Sequence, residues 1–399
     1  MLLTRNRLSR GAGLFCAAMT LLCLLSSFSY AQTNAALDTT LPIDAAGGYL
    51  QSQGAQPRFE GASKLSSAAQ EAMREGRIFS VPHFSGSFAL QGVSYPYTMV
   101  GDRPQSGKTT TVPVQIIPIS MYFEEFADES GAPIVLDPEP LIPRVQASPN
   151  FRKTQYSTGL TQFADAVQRA EFHSSAAQEW HTLLGSPKIL RPLRVVVPRG
   201  LAKVYRNSST GVVYAIVDTD FFLSQLNTMI QLENMEPDAL AIALTSNVFL
   251  APQSDLKKCC VLGFHTSFDQ GGLAQVKVVQ TFIWASWVDS GILGAGLADV
   301  TPMSHEISEW MNNPFGSNFV PAWQVPNSTA CQDNLETGDP LATLPNAGYP
   351  VLIDGFTYHP QSQVLLQWFQ RGASDAIEGA FSFPDQTLVT GPSQACATR

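Results

Sequence analysis

Alternation of apolar and polar residues, together with β-branched runs, marks four stretches of the chain as β-strands. These stretches span residues 112–120, 193–198, 211–218 and 275–284. Two further stretches, residues 158–175 and 221–232, carry apolar residues at spacings of three and four, which predicts amphipathic helices. Strands and helices therefore follow one another along the sequence. This order predicts an α+β, or mixed α/β, fold rather than a β-sandwich.

The start of the chain has the pattern of a secretory signal peptide. Three arginines, the last of them Arg10, precede an apolar run over residues 11–25, and the small-residue site Ser29-Tyr30-Ala31 follows. The run is shorter than the roughly 18 residues that a membrane-spanning helix needs, and no later stretch is long enough. We therefore predict cleavage near Ala31, a secreted or periplasmic location, and no integral membrane segment in the mature chain.

Residues 32–76 are rich in Ala, Gly, Ser and Gln and have no sustained hydrophobic period. Such a composition predicts a flexible N-terminal arm, which would be either an inhibitory pro-segment or merely a linker. Regular patterning begins after it. We therefore predict a signal peptide at residues 1–31, the arm at 32–76 and a single globular domain at 77–399.

The charge of the chain argues against nucleic acid as a partner. Lys and Arg number 24 against 33 Asp and Glu, and only 14% of the residues are charged. Removal of residues 1–31 would leave 21 basic and 33 acidic side chains, a formal charge of −12. A chain of this kind lacks the basic surface that binds phosphates.

Four cysteines remain after the predicted cleavage, namely Cys259, Cys260, Cys331 and Cys396. An even number in an exported protein predicts two disulfides. Because a bond between adjacent residues is geometrically unfavourable, we expect Cys259 and Cys260 to pair separately with the two distant cysteines. No Cys-x-x-Cys spacing is present, so the cysteines do not predict a zinc cluster.

A short helix with candidate catalytic residues on one face is predicted between Thr301, which can cap its start, and Pro314, which stops it. His305 and Glu309 are four residues apart and project from the same face, with Glu306 beside them. The zinc-peptidase motif His-Glu-x-x-His has this geometry, and its intervening Glu is the general base. Here Glu309 takes the place of the second histidine.

A metal site on this helix needs a third ligand from elsewhere in the chain. Glu336 follows Glu309 by 27 residues, which is enough chain to leave the helix and return, and we predict it as the third ligand. Asp339 is a candidate for a supporting carboxylate or for fixing a turn, and Asp333 is a weaker ligand candidate.

Two histidines outside the helix are further candidates. His265 and His359 are each suited to bind a metal or to donate a hydrogen bond to a developing oxyanion. We place His265 with Glu306 in the catalytic set.

The same segment resembles a known family. The residues concerned are His305-Glu-x-x-Glu309, Asn313-Pro314, Trp323 and Glu336-x-x-Asp339, which are similar to the His-Glu-Leu-Ala-Glu, Asn-Pro, Trp and Glu-Ile-x-Asp segment of the phosphate-induced, or exordium-like, secreted proteins. Upstream, Gly263-Phe-His265 and the strand from Trp284 to Trp287 look like that family's Gly-x-His and aromatic strand. The resemblance covers roughly residues 261–341. It implies export and a zincin-like fold, in which a mixed sheet lies beside an active-site helix carrying His-Glu-x-x-Glu.

The ligand set bears on the metal and its strength as a Lewis acid. One histidine and two carboxylates bring two negative charges to a divalent ion, which weakens its polarising power relative to a site with two histidines. Oxygen ligands admit manganese or calcium besides zinc, and zinc is the ion we expect.

These patterns together predict a secreted, zincin-like metal-dependent hydrolase, with a peptidase as the first choice, acting on a peptide or a cell-surface polymer. His305, Glu309 and Glu336 would hold the divalent metal, while Glu306 would activate a water molecule with help from His265. The alternative is a non-catalytic secreted surface or cell-wall-associated binding protein that keeps the helix for its structure.

Overall fold

The computed structural model describes residues 58–60, 66–233, 235–271, 276–294, 296–325 and 330–396. The expected signal peptide and much of the expected arm lie outside these residues. Within the described part, none of the helices has the length and apolarity that a bilayer crossing requires.

The described residues contain 24 strands and six α-helices. The first twelve strands are β1 Arg58–Glu60, β2 Ile78–Phe79, β3 His83–Leu90, β4 Val93–Val100, β5 Thr109–Val112, β6 Val114–Ala127, β7 Pro133–Leu136, β8 Thr154–Tyr156, β9 Gly159–Thr161, β10 His181–Leu184, β11 Lys188–Ile189 and β12 Leu193–Val196. The others are β13 Ala202–Arg206, β14 Val213–Asp218, β15 Leu240–Ser246, β16 Val248–Ala251, β17 Val261–Asp269, β18 Lys277–Trp287, β19 Phe319–Gln324, β20 Cys331–Asn334, β21 Val351–Ile353, β22 Phe356–Tyr358, β23 Gln363–Val364 and β24 Ser382–Phe383. The helices are α1 Ser67–Arg74, α2 Ile142–Gln146, α3 Phe163–Glu171, α4 Thr219–Leu232, α5 Thr301–Asn312 and α6 Leu366–Gln370.

Twelve strands form one mixed sheet whose backbone order is β11, β6, β15, β18, β17, β16, β14, β13. β15 runs parallel to both β6 and β18, whereas β17 is antiparallel to β18 and to β16. Residues 114–121 of β6 and all of β15 are buried. Strands buried on both faces read as continuous apolar runs, which is typical of the parallel centre of a sheet. The fold is therefore mixed α/β, as the sequence predicts.

The two faces of this sheet carry different parts of the core. Along β18, Phe282 and Trp284 pack with the apolar side of α4, whereas Ile283 and Ala285 pack with α5. Successive side chains of a strand point to opposite faces, so one strand contributes to both layers. The sheet is thus covered by α4 on one face and by α5 on the other.

The register of β17 against β18 fixes which of its residues face α5. Phe264 pairs with Trp284 and shares its face, with ring centroids 5.5 Å apart. Its neighbours Gly263 and His265 therefore point to the opposite face, towards α5. His265 pairs with Ile283, which packs in the α5 layer.

The strands predicted from alternation are present as β6, β12, β14 and β18, and the helix predicted at residues 221–232 is present as α4. The helix predicted at 158–175 is shorter. Its first part forms the β8–β9 hairpin, because Gly159 adopts a φ of 118° that an α-helix does not allow. α3 then begins at Phe163.

The described part of the expected arm contains regular structure. β1 pairs in parallel with β17, and α1 buries Ala69 and Ala72 against the domain. Ser66 caps α1, because its hydroxyl accepts a hydrogen bond of 3.2 Å from the Ala69 amide.

The predicted disulfide pairing was wrong, although the structure has two disulfides. Cys259 bonds to Cys260, and Cys331 bonds to Cys396. The adjacent pair is buried in an apolar cluster beneath β16 and β17. Cys331 lies on β20, which pairs with β19, and the C-terminal Ala395 forms a bridge to Trp323 on β19. This bridge brings Cys396 to Cys331, so neither distant cysteine reaches the adjacent pair.

Glu171 at the end of α3 is a buried acid outside the candidate site. Its Oε1 accepts a hydrogen bond of 2.9 Å from the Leu366 amide, whereas its Oε2 has no hydrogen-bond partner. Burial raises the pKa of Glu171 from 4.5 to about 8. The folded protein therefore holds a proton on this group between these pH values, and the unfolded chain does not.

Replacement of Glu171 by Gln is expected to stabilise the protein at high pH. Because the pKa is raised on folding, the wild type loses stability as the pH rises from about 4.5 to 8, by on the order of 2–4 kcal/mol at the upper end. Glu171→Gln keeps an acceptor for the Leu366 amide and removes this loss. Denaturant unfolding should show a stabilised variant at pH 8.5 and little difference at pH 5. Glu179→Gln, at an exposed position, is the control, and equal gains in both variants would contradict the explanation.

Candidate metal centre

α5 carries the candidate residues and is buried along its whole length. Its N-cap is Val300 rather than the predicted Thr301, which is the first helical residue. The Thr301 hydroxyl instead lies 2.7 Å from the Ala298 carbonyl and 2.6 Å from the His359 carbonyl, and it can donate its proton to either. These bonds tie the start of the helix to the loop after β22, so the position of α5 depends on distant parts of the chain.

Three side chains from α5 and β17 meet between the helix and the sheet. The Nδ1 of His265 lies 3.2 Å from Glu306 Oε2 and 3.6 Å from Glu309 Oε2. All three residues are at most 1% exposed. Because β17 aims His265 at the face on which Glu306 and Glu309 lie, the sheet and the helix build the cluster together.

Glu336 completes this cluster from the loop after β20. One of its carboxylate oxygens, Oε2, lies 3.6 Å from Nε2 of His265. That separation is too long for a hydrogen bond, and Nε2 of His265 has no hydrogen-bond partner. We assign the proton of the neutral ring to Nδ1, because Nδ1 is the nitrogen that lies within hydrogen-bond distance of Glu306. The other ring nitrogen, Nε2, therefore offers its lone pair on the side of Glu336.

His305 lies on the other side of Glu309. Its Nε2 is 3.1 Å from Glu309 Oε2 and 3.8 Å from Asp339 Oδ1. Its Nδ1 is 3.1 Å from the side-chain oxygen of Gln361, whose amide nitrogen donates to the Gly338 carbonyl. Gln361 thus orients the imidazole and directs Nε2 towards Glu309.

The loop that carries Glu336 is tied to α5 by main-chain hydrogen bonds. The amides of Gly338 and Asp339 donate to Glu309 Oε1 at 2.9 and 3.2 Å. Glu309 Oε2 is left to face the two histidines. The carboxylate of Asp339 accepts a hydrogen bond from the side-chain amide of Gln332 and lies 3.8 Å from His305 Nε2.

Two glycines make room for the candidate side chains. A Cβ on Gly263 would lie 2.8 Å from Glu306 Oε1, and a Cβ on Gly338 would overlap the ring of His305. Real Cβ atoms do not approach other atoms so closely, so any larger residue here would displace Glu306 or His305. The glycine two positions before His265 was a visible signal for this in the sequence.

Burial and the neighbouring acids give the two histidines different charges. Burial lowers the pKa of His265 to about 4, despite the neighbouring Glu309, so the ring is neutral at neutral pH. Burial also opposes a charge on His305, but Glu309 and Asp339 outweigh it and raise the pKa of His305. In turn, His305 lowers the pKa of Glu309 against the effect of burial. His305 and Glu309 therefore form a buried ion pair.

The cluster meets the distance requirements of a cation site. One donor atom from each of His265, Glu309 and Glu336 lies within 4.8 Å of the others, and the same is true of His305, Glu306 and Glu309. Ligand atoms around a tetrahedral ion with bonds near 2.1 Å are roughly 3.4 Å apart. Nε2 of His265 and Oε2 of Glu336 are 3.6 Å apart, which is close to that value. Both groups share Glu309, which is the centre of the arrangement.

Some sequence candidates lie away from the cluster. Asp333 is exposed on β20. His359 pairs with Asp299 instead, with Nδ1 2.7 Å from Oδ2. Gln361 was missed, because nothing in its local sequence signals a contact with a histidine 56 positions earlier.

No family model, curated protein or solved structure matches this chain. The resemblance to exordium-like proteins stays a prediction from the motifs.

Replacement of Gly338 by Ala is expected to destabilise the protein by roughly 1–3 kcal/mol, because the new methyl group would push the ring of His305 away from Glu309. Equilibrium unfolding in urea measures the change. Gly372→Ala is the matched control, since no atom lies within 4 Å of its added methyl group. A Gly338→Ala variant as stable as the control would contradict the close packing of His305.

Proposed function

We propose that this protein is an exported metal-dependent hydrolase of zincin-like architecture, with peptides as its substrates. Its candidate active centre is the buried cluster between β17 and α5. His265, Glu309 and Glu336 hold a divalent cation, and Glu306 is the general base. His305 supports Glu309 from the other side.

The observation that carries this proposal is the pair of atoms His265 Nε2 and Glu336 Oε2. Both are buried electron-pair donors, 3.6 Å apart, with no hydrogen bond to relieve the contact on the histidine side. A buried polar atom without a partner is costly unless a cation or another group satisfies it. A divalent ion between the two would bind both, and the neutral ring of His265 is the form that binds metals.

The net charge of the cluster supports the same conclusion. Glu306, Glu309 and Glu336 contribute acidic groups at positions that are at most 1% exposed. His305 balances one of them through its ion pair with Glu309, while His265 is neutral. Burial disfavours the charged form of a carboxylic acid, and a divalent cation among these three side chains would stabilise it.

The assignment of His265 differs from the role expected of it in the sequence. There it was placed in the catalytic set, whereas its Nε2 faces Glu336 at a separation typical of two ligands. His305 was expected to be a ligand, but its Nε2 contacts Glu309 directly. We therefore propose His265 as a ligand and His305 as the group that holds Glu309 in place.

The chemistry of a hydrolase then follows from Glu306. A bound divalent ion would polarise a substrate carbonyl and make water more acidic. Glu306, on the helix turn between His305 and Glu309, takes a proton from the attacking water and delivers it to the departing amine. Its Oε2 already accepts a hydrogen bond from His265, which keeps the carboxylate in one orientation. Mixed oxygen and nitrogen ligands suit zinc, and they also admit manganese.

The full burial of the cluster favours a second candidate function, that of a non-catalytic binding protein whose cation is purely structural. Structural sites are closed to solvent, whereas catalytic sites keep a position for a substrate. The two functions make different demands on Glu306, which is essential only for hydrolysis.

Metal content and turnover together test the proposal. Purified protein should contain about one zinc or manganese ion per chain by plasma mass spectrometry, and Glu336→Gln should lower the affinity for that ion at least about 10-fold. Glu306→Gln should keep the ion and lose about 100- to 10,000-fold of kcat/KM on a casein-derived peptide library, because it removes the proton acceptor.

Exposed Glu139→Gln is the control for both measurements. Stoichiometric metal with turnover that Glu306→Gln leaves unchanged would overturn the hydrolase and leave the binding protein. Absence of any bound ion would overturn the metal centre itself.

A further inference from the structure

The candidate centre is closed in this structure. His265, His305, Glu306 and Glu336 are 0% exposed, and the side chain of Asp339 at its margin is 9% exposed. A substrate that reaches these residues must first displace a part of the protein. A short element beside the strand that carries His265 is therefore the place to look for an entrance.

β1 is such an element. Phe264 of β17 pairs with Trp284 of β18 on one side and with Glu60 of β1 on the other. β1 has only three residues and an interrupted register, from Arg58 opposite Val261 to Glu60 opposite Phe264. Short edge pairings open at low free energy. β1 ends one position away from His265, whose side chain belongs to the cluster.

A cleft of about 620 Å³ lies beside the same strand on the α4 face. It is lined along β17 by Val261 and residues 264–269, and α4 contributes the apolar side chains Leu223, Leu226 and Ile230. Phe282 of β18 forms part of its floor. The cleft and the edge held by β1 are therefore continuous along β17.

We propose that the edge of β17 opposite β18, from Phe264 onwards, forms a docking site together with this cleft. The site would bind an extended polypeptide segment with apolar side chains, which displaces β1. The resident strand is the main observation, since it shows that this edge accepts an extended chain through main-chain hydrogen bonds. An incoming segment takes the place of β1 and becomes the edge strand.

Strand alternation explains how such a segment serves both surfaces. Successive side chains of a strand added to β17 point to opposite faces of the sheet. One set enters the apolar cleft beside α4, and the other set faces α5. The backbone then lies next to His265. The link between this docking site and hydrolysis rests on the proposed function. The substrate is then a peptide in extended conformation.

The test uses a fluorescein-labelled synthetic peptide of residues 55–65 and fluorescence anisotropy on the full chain. Phe59→Pro removes an amide donor from β1 and frees the edge, so it should bind the peptide at least about 5-fold more tightly than the wild type, which its resident strand blocks. Phe59→Ala keeps the amide and should stay within about 2-fold of the wild type. A peptide that itself carries the Phe59→Pro change should not bind.

The cleft is tested in the Phe59→Pro background. Leu223→Gln should weaken peptide binding at least about 5-fold, because half-buried Leu223 lines the cleft. Leu352→Gln, at a 70% exposed leucine outside the cleft, is the matched control and should have no effect. If the melting temperature of Phe59→Pro falls, Leu223→Gln and Leu352→Gln are instead compared on the wild-type chain at higher peptide concentration, and the same difference between them is expected.

Equal binding by wild type and Phe59→Pro, or an equal loss in Leu223→Gln and Leu352→Gln, would overturn the docking site. Binding as expected without any hydrolysis would overturn the proposed function alone. If Glu306→Gln abolishes hydrolysis but Phe59→Pro and Leu223→Gln do not change its rate, the docking site is overturned and the proposed function is not.

Discussion

The buried contact between His265 and the carboxylates of Glu306, Glu309 and Glu336 is the constraint on which the rest of the site depends. Acidic side chains are seldom buried without partners, because removal from water penalises their charged form. Here α5, β17 and the loop after β20 are each held so that their charged groups converge. Gly263 and Gly338 lack side chains where Glu306 and His305 need space. The loop amides of Gly338 and Asp339 bind Glu309, so the cluster also joins the loop to the helix.

The mixed sheet provides the rigid half of this arrangement. β18 contributes alternate residues to the α4 and α5 layers. Because Phe264 pairs with Trp284 and His265 with Ile283, β17 also places alternate residues in these two layers. A shift of one residue in that register would turn His265 away from α5 and bring Phe264 into the cluster. The aromatic contacts of Phe264 with Trp284 and Phe282 oppose such a shift. Aromatic packing on the α4 face of the sheet thereby fixes the position of His265 on the α5 face.

Local patterning predicted α5, which carries three of the five site residues, but not β17, which carries His265. It also failed where distant contacts decide. Pro302 and Pro314 at its two ends locate α5, and Val-rich alternation locates β18, because both signals are contained in the segment itself. All five site residues predicted from the sequence lie together in the folded protein, namely His265, His305, Glu306, Glu309 and Glu336. The sequence missed Gln361 and assigned the histidines differently, because their roles follow from tertiary neighbours. The pairing of Cys331 with Cys396 depends likewise on the C-terminal bridge to β19.

The central claim is that a cation lies among His265, Glu309 and Glu336, and anomalous diffraction at the zinc absorption edge tests it most directly. Crystals grown with zinc should give a peak about 2.0–2.2 Å from a ring nitrogen of His265 and from a carboxylate oxygen of Glu309. Crystals of Glu336→Gln should give a weaker peak at that position or none. A cluster without a peak in wild-type crystals that bind zinc elsewhere would contradict the account.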